Sequence, residues 1–420
     1  MEFVNIILLS IYFISLYFTI FWIVVFIEDK KQSAPTNKKK EFSPSISVII
    51  PAYNEQESIE KTLLSVLSLE YPKEKLQIVI VNDGSTDNTT AIISSVIDTH
   101  KEYDIVVINQ QNKGKGAALN AGLNKVTGEY FACLDADSFV HKNTLRKMVD
   151  FYAAAESDIV IVTPTLKVAS PKRFWQKIQA IEYIISIFIA KLMSKVDCLY
   201  VAPGPFSLYK TAVIKKLGGF DENNLTEDQE IAYRVQKNNL KIKQCPSADV
   251  YTNAPKTFSE LYVQRNRWFK GGLFNALKYK NMLLNKSYGD FGILQMSINV
   301  MLFIFSITTI SFFFYYAIMP LLRRFYHLYL VGFDIKPFLQ DIFTINLDIL
   351  SLNITTMFIV NIALLITIFL IYISYKNAEQ QLGFFDYLYL IPYLFIYYII
   401  LSFIAVVIVL ELLFGKKQKW

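Results

Sequence analysis

Cysteine is nearly missing from this chain of 420 residues: there are 3, namely Cys133, Cys198 and Cys245, far apart in sequence. They cannot form a disulfide framework, and no CxxC pair stands ready for a metal. Histidine is equally scarce, also 3 and also scattered, which excludes a conventional zinc site. Charged residues make up only 19%, and the net charge is +6. A disordered chain needs the opposite balance, low hydrophobicity with high charge. Gly (15) and Pro (13) are too few for a fibrous or low-complexity protein. Apolar surface is what abounds: 53% hydrophobic residues, 33 Phe, 26 Tyr and a mean hydropathy of +0.33. A simple cytosolic protein does not carry that composition. The positive excess lies beside apolar stretches, so a membrane surface is its expected partner and nucleic acid is not.

The apolar residues are gathered into four uncharged stretches, Phe3 to Ile27, Phe291 to Leu322, Ile349 to Tyr375 and Tyr387 to Leu410. A membrane-crossing helix needs roughly 20 apolar residues, and each stretch is long enough. The first is too long for a signal-peptide core and has no small-residue cleavage site after it, so it reads as a retained anchor. Residues 28–40 hold Lys30, Lys31, Lys38, Lys39 and Lys40 against Glu28 and Asp29. By the positive-inside rule that cluster puts the following segment in the cytoplasm, in a multi-pass protein of the plasma membrane. Four spans would place the tail outside, although it carries Lys416, Lys417 and Lys419. The first cluster is given more weight because it adjoins the first span.

Between the first two stretches the pattern alternates. Ser45–Pro51, Gln77–Val81, Ile105–Ile108, Tyr130–Leu134 and Ile159–Thr163 are short β-branched or aromatic runs. Helix-like segments Glu57–Leu69, Asp87–His100 and Gly116–Lys125 separate the first four. That order implies an α/β domain with a mostly parallel sheet covered on both faces. Ligands bind such sheets at the carboxyl ends of the strands. The ends here are polar: Pro51-Ala52-Tyr53-Asn54-Glu55, Asn82-Asp83-Gly84-Ser85-Thr86-Asp87, Asn112-Lys113-Gly114-Lys115-Gly116 and Asp135-Ala136-Asp137. Singly, each has a plain reading: Asn-Asp-Gly-Ser is a good turn, and two carboxylates often only cap a helix. Four such endings on one sheet edge are much harder to obtain by chance.

Each ending has a chemical use. Paired carboxylates can hold Mg²⁺ or Mn²⁺ and leave positions for phosphate oxygens. Lys113 and Lys115, with Gly114 and Gly116 ahead of a helix, suit a diphosphate. The Walker spacing is absent, so this is not an ATPase-type loop. Asp83 could accept hydrogen bonds from a nucleobase or ribose. Thr226-Glu227-Asp228-Gln229 fits a capping box that sets Asp228 in a first helical turn, either as a favourable acid or as a general base. Thr257 and Glu260 fit a second capping box. The helix it opens carries Gln264, Arg267 and Trp268 at i, i+3 and i+4, on one face. Arg can clamp a phosphate and Trp can stack on a sugar, although the same pair also serves as an interfacial anchor.

These motifs together resemble a membrane-bound family-2 glycosyltransferase with a GT-A catalytic domain. They run from Pro51 to Trp268 in the family's order, over about half the chain, and the QxxRW form is similar to that of synthases of cellulose, chitin, hyaluronan and poly-N-acetylglucosamine. The resemblance implies a GT-A nucleotide-sugar domain with transmembrane and interfacial amphipathic helices. The expected organisation is a membrane helix over 1–28, a basic linker over 29–44, the catalytic domain over 45–254, an interfacial helix over 255–290, three membrane helices over 291–414 and a basic tail over 415–420. It also implies the roles of residues. Asp228, with Glu227 beside it, is the catalytic pair, Asp228 deprotonating the acceptor hydroxyl. Pro51, Tyr53, Glu55, Asp83, Lys113, Lys115, Asp135, Gln264 and Arg267 bind the donor. Asp137 and Asp135 hold Mg²⁺ or Mn²⁺. Trp268, Gly204 and Asp228 meet the acceptor. Here the chain departs from the family: the loop Val201–Ser207 carries Pro203 and Pro205 where relatives keep small residues.

Arg173 to Val196 repeats Phe174, Ile178, Ile181, Ile185, Phe188 and Leu192 at helical spacing. Glu182 and Lys191 interrupt it, so it is read as an amphipathic helix on the cytoplasmic membrane face, with a buried core helix as the alternative. The implied function is processive, inverting transfer from a UDP-sugar (UDP-GlcNAc or UDP-Glc) onto a growing β-linked glycan that is passed across the membrane, with membrane lipids around it and a possible small accessory membrane subunit. Inversion also follows from the residues: single displacement needs one carboxylate base, and no second carboxylate stands out as a nucleophile. The alternative is a non-processive transferase acting on ceramide, diacylglycerol or polyprenyl phosphate. The uncharged spans argue against a transporter.

Overall fold

A computed structural model describes residues 2–32, 42–154, 158–333, 354–381, 383 and 386–414. The chain divides into two compact units that part after Met301. The first begins with helix α1 (Glu2–Gln32) and continues into an eight-stranded sheet. Its strands are β1 (Ile46–Ala52), β2 (Leu76–Asn82), β3 (Asp104–Asn109), β4 (Tyr130–Cys133), β5 (Ser138–Val140), β6 (Ile159–Val168), β7 (Ser207–Lys210) and β8 (Lys241–Thr252), in the spatial order β3-β2-β1-β4-β7-β6-β8-β5.

The first four strands are parallel, as the alternating pattern requires. Pro51 is tolerated in central β1 because the β1–β4 pairing has already ended at Ile49 opposite Cys133. Side chains alternate between two cores. Val48 and Ile50 face helices α2 (Ile59–Leu67), α3 (Thr89–Thr99) and α5 (Thr144–Ala153). Ile49, Val79 and Val81 face α4 (Lys115–Leu123), α7 (Thr211–Lys216) and α8 (Glu227–Lys237) on the other side.

The sheet as a whole stays mostly parallel, β6 pairing parallel with β8, but antiparallel neighbours enter it beyond β4. β7 runs antiparallel to β4 and β6, and β5 runs antiparallel to β8, so the sheet is mixed. The sequence pattern marks none of β5, β7 and β8. β8 is polar and contains Pro246; its register against β6 slips between Thr163 and Thr165, whose partners are Gln244 and Asp249.

Helix α6 (Phe174–Lys195) forms where the periodicity places it, but it does not lie on the surface. It packs on β6, β8 and α1, and Phe26 meets Phe188 edge-on at 5.4 Å between ring centroids. Only Phe174, Ser186 and Lys195 of this helix are exposed. The buried-core alternative therefore replaces the interfacial one. Glu182 is accommodated by an ion pair with Arg265 of α9 (Phe258–Lys278), at 2.6 Å.

Helix α8 is also held from its far side. Tyr233, Tyr279, Met282, Phe291 and Met296 form a small buried cluster, and Asn299 donates to the Tyr233 hydroxyl at 2.5 Å. Phe291–Gln295, the start of a long apolar helix, is a π-turn.

Leu9–Glu28, Phe291–Leu330 and Tyr387–Leu413 are long and apolar enough to cross a membrane. The fourth expected span falls partly outside the described residues; what is described there is the helix Ile354–Asn377. In the second unit the side chains of Leu302, Ile304, Phe358, Leu365 and Phe403 stand exposed, as lipid-facing side chains would. The basic tail 415–420 and most of the basic linker lie outside the described residues.

Candidate active site

The carboxyl ends of β1 and β2 are laced together by short side chains. Asn54 takes a left-handed conformation (φ 55°), which Asn tolerates better than most residues. From there its Oδ1 accepts from Thr86 N at 2.8 Å, and its own N–H donates to Ser85 Oγ at 3.1 Å. Tyr53 beside it is exposed, a ring open to stacking. Asp83 is buried and already engaged. Its Oδ1 accepts from Gln110 Nε2 (2.6 Å) and Lys113 N (3.0 Å), and its Oδ2 accepts from Gly114 N (2.9 Å). The carboxylate thus holds the β3–α4 loop from beneath rather than standing open to a nucleobase. Gly114 has φ 90° and is the N-cap of α4, a conformation that other residues reach only with strain. Lys113 is exposed at the rim, whereas Lys115 and Gly116 lie in the first turn of α4 rather than ahead of it.

Lys115 is the centre of the site. Its Nζ lies 2.7 Å from Asp135 Oδ1 and 3.0 Å from Glu227 Oε1. Burial works against its charge, but the Asp135 and Glu227 carboxylates outweigh it and hold the ammonium above its ordinary range. Glu227 is buried and turned inward onto Lys115, so its place is that of a charge partner rather than a group open to an acceptor. Gly204 completes the contact: a Cβ there would sit 2.8 Å from Lys115 Nζ and 2.9 Å from Asp135 Oδ2. The two prolines therefore flank a residue that must be glycine for this loop to close on the ion pair. The loop also reaches the next residue of α8, since Ala202 N donates to the Asp228 carbonyl at 3.2 Å.

Asp228 is half-buried, and its Oδ1 accepts from Gln229 N at 2.8 Å. Desolvation first, then the charges of Glu227 and Asp135, push its pKa up to about 6, against the opposing pull of Lys115 and Arg267. Asp137 is likewise pushed up, by burial and by Asp135, while Ser138 Oγ donates to it at 2.9 Å. Glu55 is raised chiefly by burial, opposed by its hydrogen bond from Ser58, with Asp137 and Asp135 adding to the rise. Carboxylates from the ends of β1 and β4 and from the first turn of α8 thus act on one another.

Oxygen-only donors from two carboxylates fit a hard divalent cation, which would relieve the crowding that raises Asp137. Among the described residues there is no group of three or more candidate ligands, so the remaining positions fall to phosphate oxygens and water.

The α9 residues are more dispersed. Thr257 caps α9 by accepting from Glu260 N at 3.3 Å, as expected. Arg267 lies near enough to act electrostatically on both Asp228 and Lys115. Gln264 Oε1 and Asn266 Oδ1 are buried without a hydrogen-bond partner. Trp268 packs with Val168, Tyr183 and Ala254, and the Arg265 guanidinium lies 4.3 Å over its ring, so one face is already covered.

The expected capping box on α8 does not form. Thr226 Oγ1 instead accepts from Asn275 Nδ2 at 3.1 Å, and Gln229 Oε1 accepts from the same amide at 3.0 Å. Asn275, Arg265 and Glu230 were not among the expected residues; their contacts with Gln229, Glu182 and Lys278 span 46 to 83 positions, and only the Glu230–Arg234 pair, four residues apart, leaves a local signal. Two cavities, of about 430 and 580 Å³, lie elsewhere, beside Lys73 and Gln77 and beside Asp221 and Arg234.

Known proteins carry the same pattern. The model of glycosyl transferase family 2 matches residues 47–218. A poly-β-1,6-N-acetyl-D-glucosamine synthase of Staphylococcus epidermidis is 33% identical over 269 residues, 62% of this chain and 64% of that protein, so the match spans just under two thirds of the relative. One from Staphylococcus aureus is 30% identical over 300 residues, 68% of this chain and 70% of the relative. Among solved structures, a mannosyltransferase from Pyrobaculum calidifontis in complex with GDP-Man and Mn²⁺ superimposes with a TM-score of 0.52 at 22% identity, over 62% of this chain and 71% of that one, a likeness of fold. With the motif order, the sheet and these relatives in agreement, the chain belongs to glycosyltransferase family 2.

Proposed function

We propose that this protein is a processive, inverting synthase that transfers N-acetylglucosamine from UDP-GlcNAc onto a growing β-linked glycan at the cytoplasmic side of a membrane. The observation that carries the reading is the pairing of a half-buried carboxylate of pKa about 6, Asp228, with the Lys115–Asp135–Glu227 ion cluster next to it. A base is most effective when its pKa lies near the working pH, and Asp228 is ionised at neutral pH while still basic. The choice of GlcNAc over glucose is supported by the products named for the Staphylococcus relatives.

The chemistry divides among the chain's own groups. Asp228 takes the proton of the acceptor hydroxyl. The acceptor oxygen bonds to the anomeric carbon as the bond to the diphosphate breaks, and the electron pair leaves with UDP. Lys115 and Arg267 bear the charge that gathers on the leaving diphosphate. Asp135 and Asp137 would hold Mg²⁺ or Mn²⁺, which adds neutralising charge at the same place. Tyr53 offers its exposed ring to the base, while Asp83 acts through the loop of Lys113 and Gly114. On α9, Val263, Phe274 and Leu277 form an exposed stripe suited to the membrane surface.

Purified protein given labelled UDP-GlcNAc and Mn²⁺, with no added lipid acceptor, should make long polymer by size exclusion, and UDP-Glc should be a poor substitute. A chloroform-soluble, singly glycosylated lipid as the only product would replace this reading with a lipid glycosyltransferase.

A further inference from the structure

The far face of α8 carries a second charge cluster, which the proposed chemistry does not use. Glu230 is completely buried, and its carboxylate meets donors from three side chains. Its Oε1 accepts from Lys278 Nζ at 2.7 Å and from the Tyr279 hydroxyl at 2.6 Å, and its Oε2 pairs with Arg234. Desolvation by burial is outweighed by these donors, so the carboxyl is held below its usual range.

The partners extend to other elements. Arg234 donates to the carbonyls of Leu217 (2.9 Å) and Gly219 (2.8 Å). Lys278, at the end of α9, also reaches Asp221 at 2.8 Å. The same loop closes on α4: a Cβ on Gly116 would lie 3.0 Å from the Asp221 carbonyl oxygen, so the loop backbone rests on the residue after Lys115. Asn120 of α4 reinforces this by donating to the Phe220 carbonyl at 2.9 Å and accepting from Phe220 N at 2.8 Å. One carboxylate therefore joins the three elements that bring Lys115, the Glu227–Asp228 pair and Arg267 to the site.

We propose that Glu230 is a positioning residue, which sets Asp228 against the Lys115–Arg267 charges by tying α8 to the end of α9 and, through Arg234 and Lys278, to the loop resting on α4. This rests on the reading of Asp228 as the base. Successive helix positions point some 100° apart, so residues 228 and 230 face different ways: the first into the site, the second into the anchor. A buried ion cluster is a costly way to gain stability but a good way to fix geometry, since the partners tolerate few arrangements. The nucleotide side of the site, Tyr53 with the Asp83-held loop, shares none of the contacts just described. Disturbing the anchor should therefore misplace the base without weakening grip on the nucleotide.

The test is steady-state kinetics of the full-length, detergent-solubilised protein with UDP-GlcNAc. Glu230→Gln keeps the shape but gives Lys278 and Arg234 an amide in place of a carboxylate. It should lower kcat by about tenfold or more per folded molecule, in keeping with the cost of small misplacements, while KM for the donor stays within about twofold. Tyr279→Phe removes one donor and should lower kcat by roughly threefold with the same split. A purely structural role would reduce yield and melting temperature but leave the kcat of folded molecules unchanged, and that outcome overturns the proposal. If Glu230→Gln does not fold, an unchanged kcat in Tyr279→Phe overturns it instead. Asp228→Asn run alongside separates the two ideas. An inactive Asp228→Asn with a fully active Glu230→Gln removes only the positioning role. An active Asp228→Asn removes the base assignment and this proposal with it.

Discussion

The two halves of the site are built differently. The half proposed to hold the nucleotide, at the ends of β1, β2 and β3, is tied by neutral or singly charged hydrogen bonds, many of them to backbone N–H groups, between loops that neighbour each other on the sheet edge. The transfer half joins Lys115 of α4, Asp135 after β4 and Glu227 of α8 by ion pairs across long sequence distances. A hydrogen-bonded loop can flex and re-form around a ligand, whereas paired, partly buried charges give a fixed field in which leaving-group charge can develop. The difference fits binding on one side and chemistry on the other.

That contrast can be broken at several points. Asp228→Asn should give the largest effect, a loss on the order of 10²–10⁴ in kcat with UDP affinity by calorimetry unchanged. Retention of more than a tenth of the turnover would contradict the assignment. Lys115→Met should cost on the order of 10² in kcat by removing a charge from the leaving group. It also strands buried Glu227, so a stability loss of about 3 kcal/mol should appear in thermal unfolding. Asp83→Asn belongs to the other half and should act the other way. It presents an amide to three donors, which costs about 1–3 kcal/mol locally, and should weaken UDP binding while sparing kcat at saturation. Equal losses in both parameters would mean that the halves are not separable. The smallest effect is that of pH. With Asp228 as the proposed base and its pKa pushed up to about 6, kcat should be half-maximal near that pH and fall further as pH drops, with no acid limb in that range in KM for the donor.

The same contrast describes what could be read from the sequence. Strand ends β1 to β4 announce themselves because a β-branched run stopping at Asn, Asp or Gly is a local pattern, and the resemblance assigned roles to the residues that follow. The transfer half was legible as residue types but not as contacts. Nothing near Glu227 says that it turns inward onto Lys115, more than a hundred residues earlier. The cap on α8 was misread because Thr226 and Gln229 have the right spacing, yet Asn275 of another helix claims both side chains. α6 was placed at the membrane because Glu182 and Lys191 interrupt its apolar run. The buried partner Arg265, which makes Glu182 acceptable inside, lies 83 residues away. β8 escaped because Pro246 sits where its pairing slips, which in a sequence looks like the end of a strand.

The Asn299–Tyr233 hydrogen bond and the aromatic cluster beneath it bear on where the catalytic half can be cut from its membrane part. A fragment that stops at the last residue of α9 would uncover Tyr233 and remove Phe291 and Met296 from above it, leaving an adhesive apolar patch on the very helix that carries Asp228. A water-soluble version is better ended after Asn299, with the outward-facing Ile293 exchanged for a polar residue. Such a piece would keep its own lid on α8 and could be handled without detergent at that end.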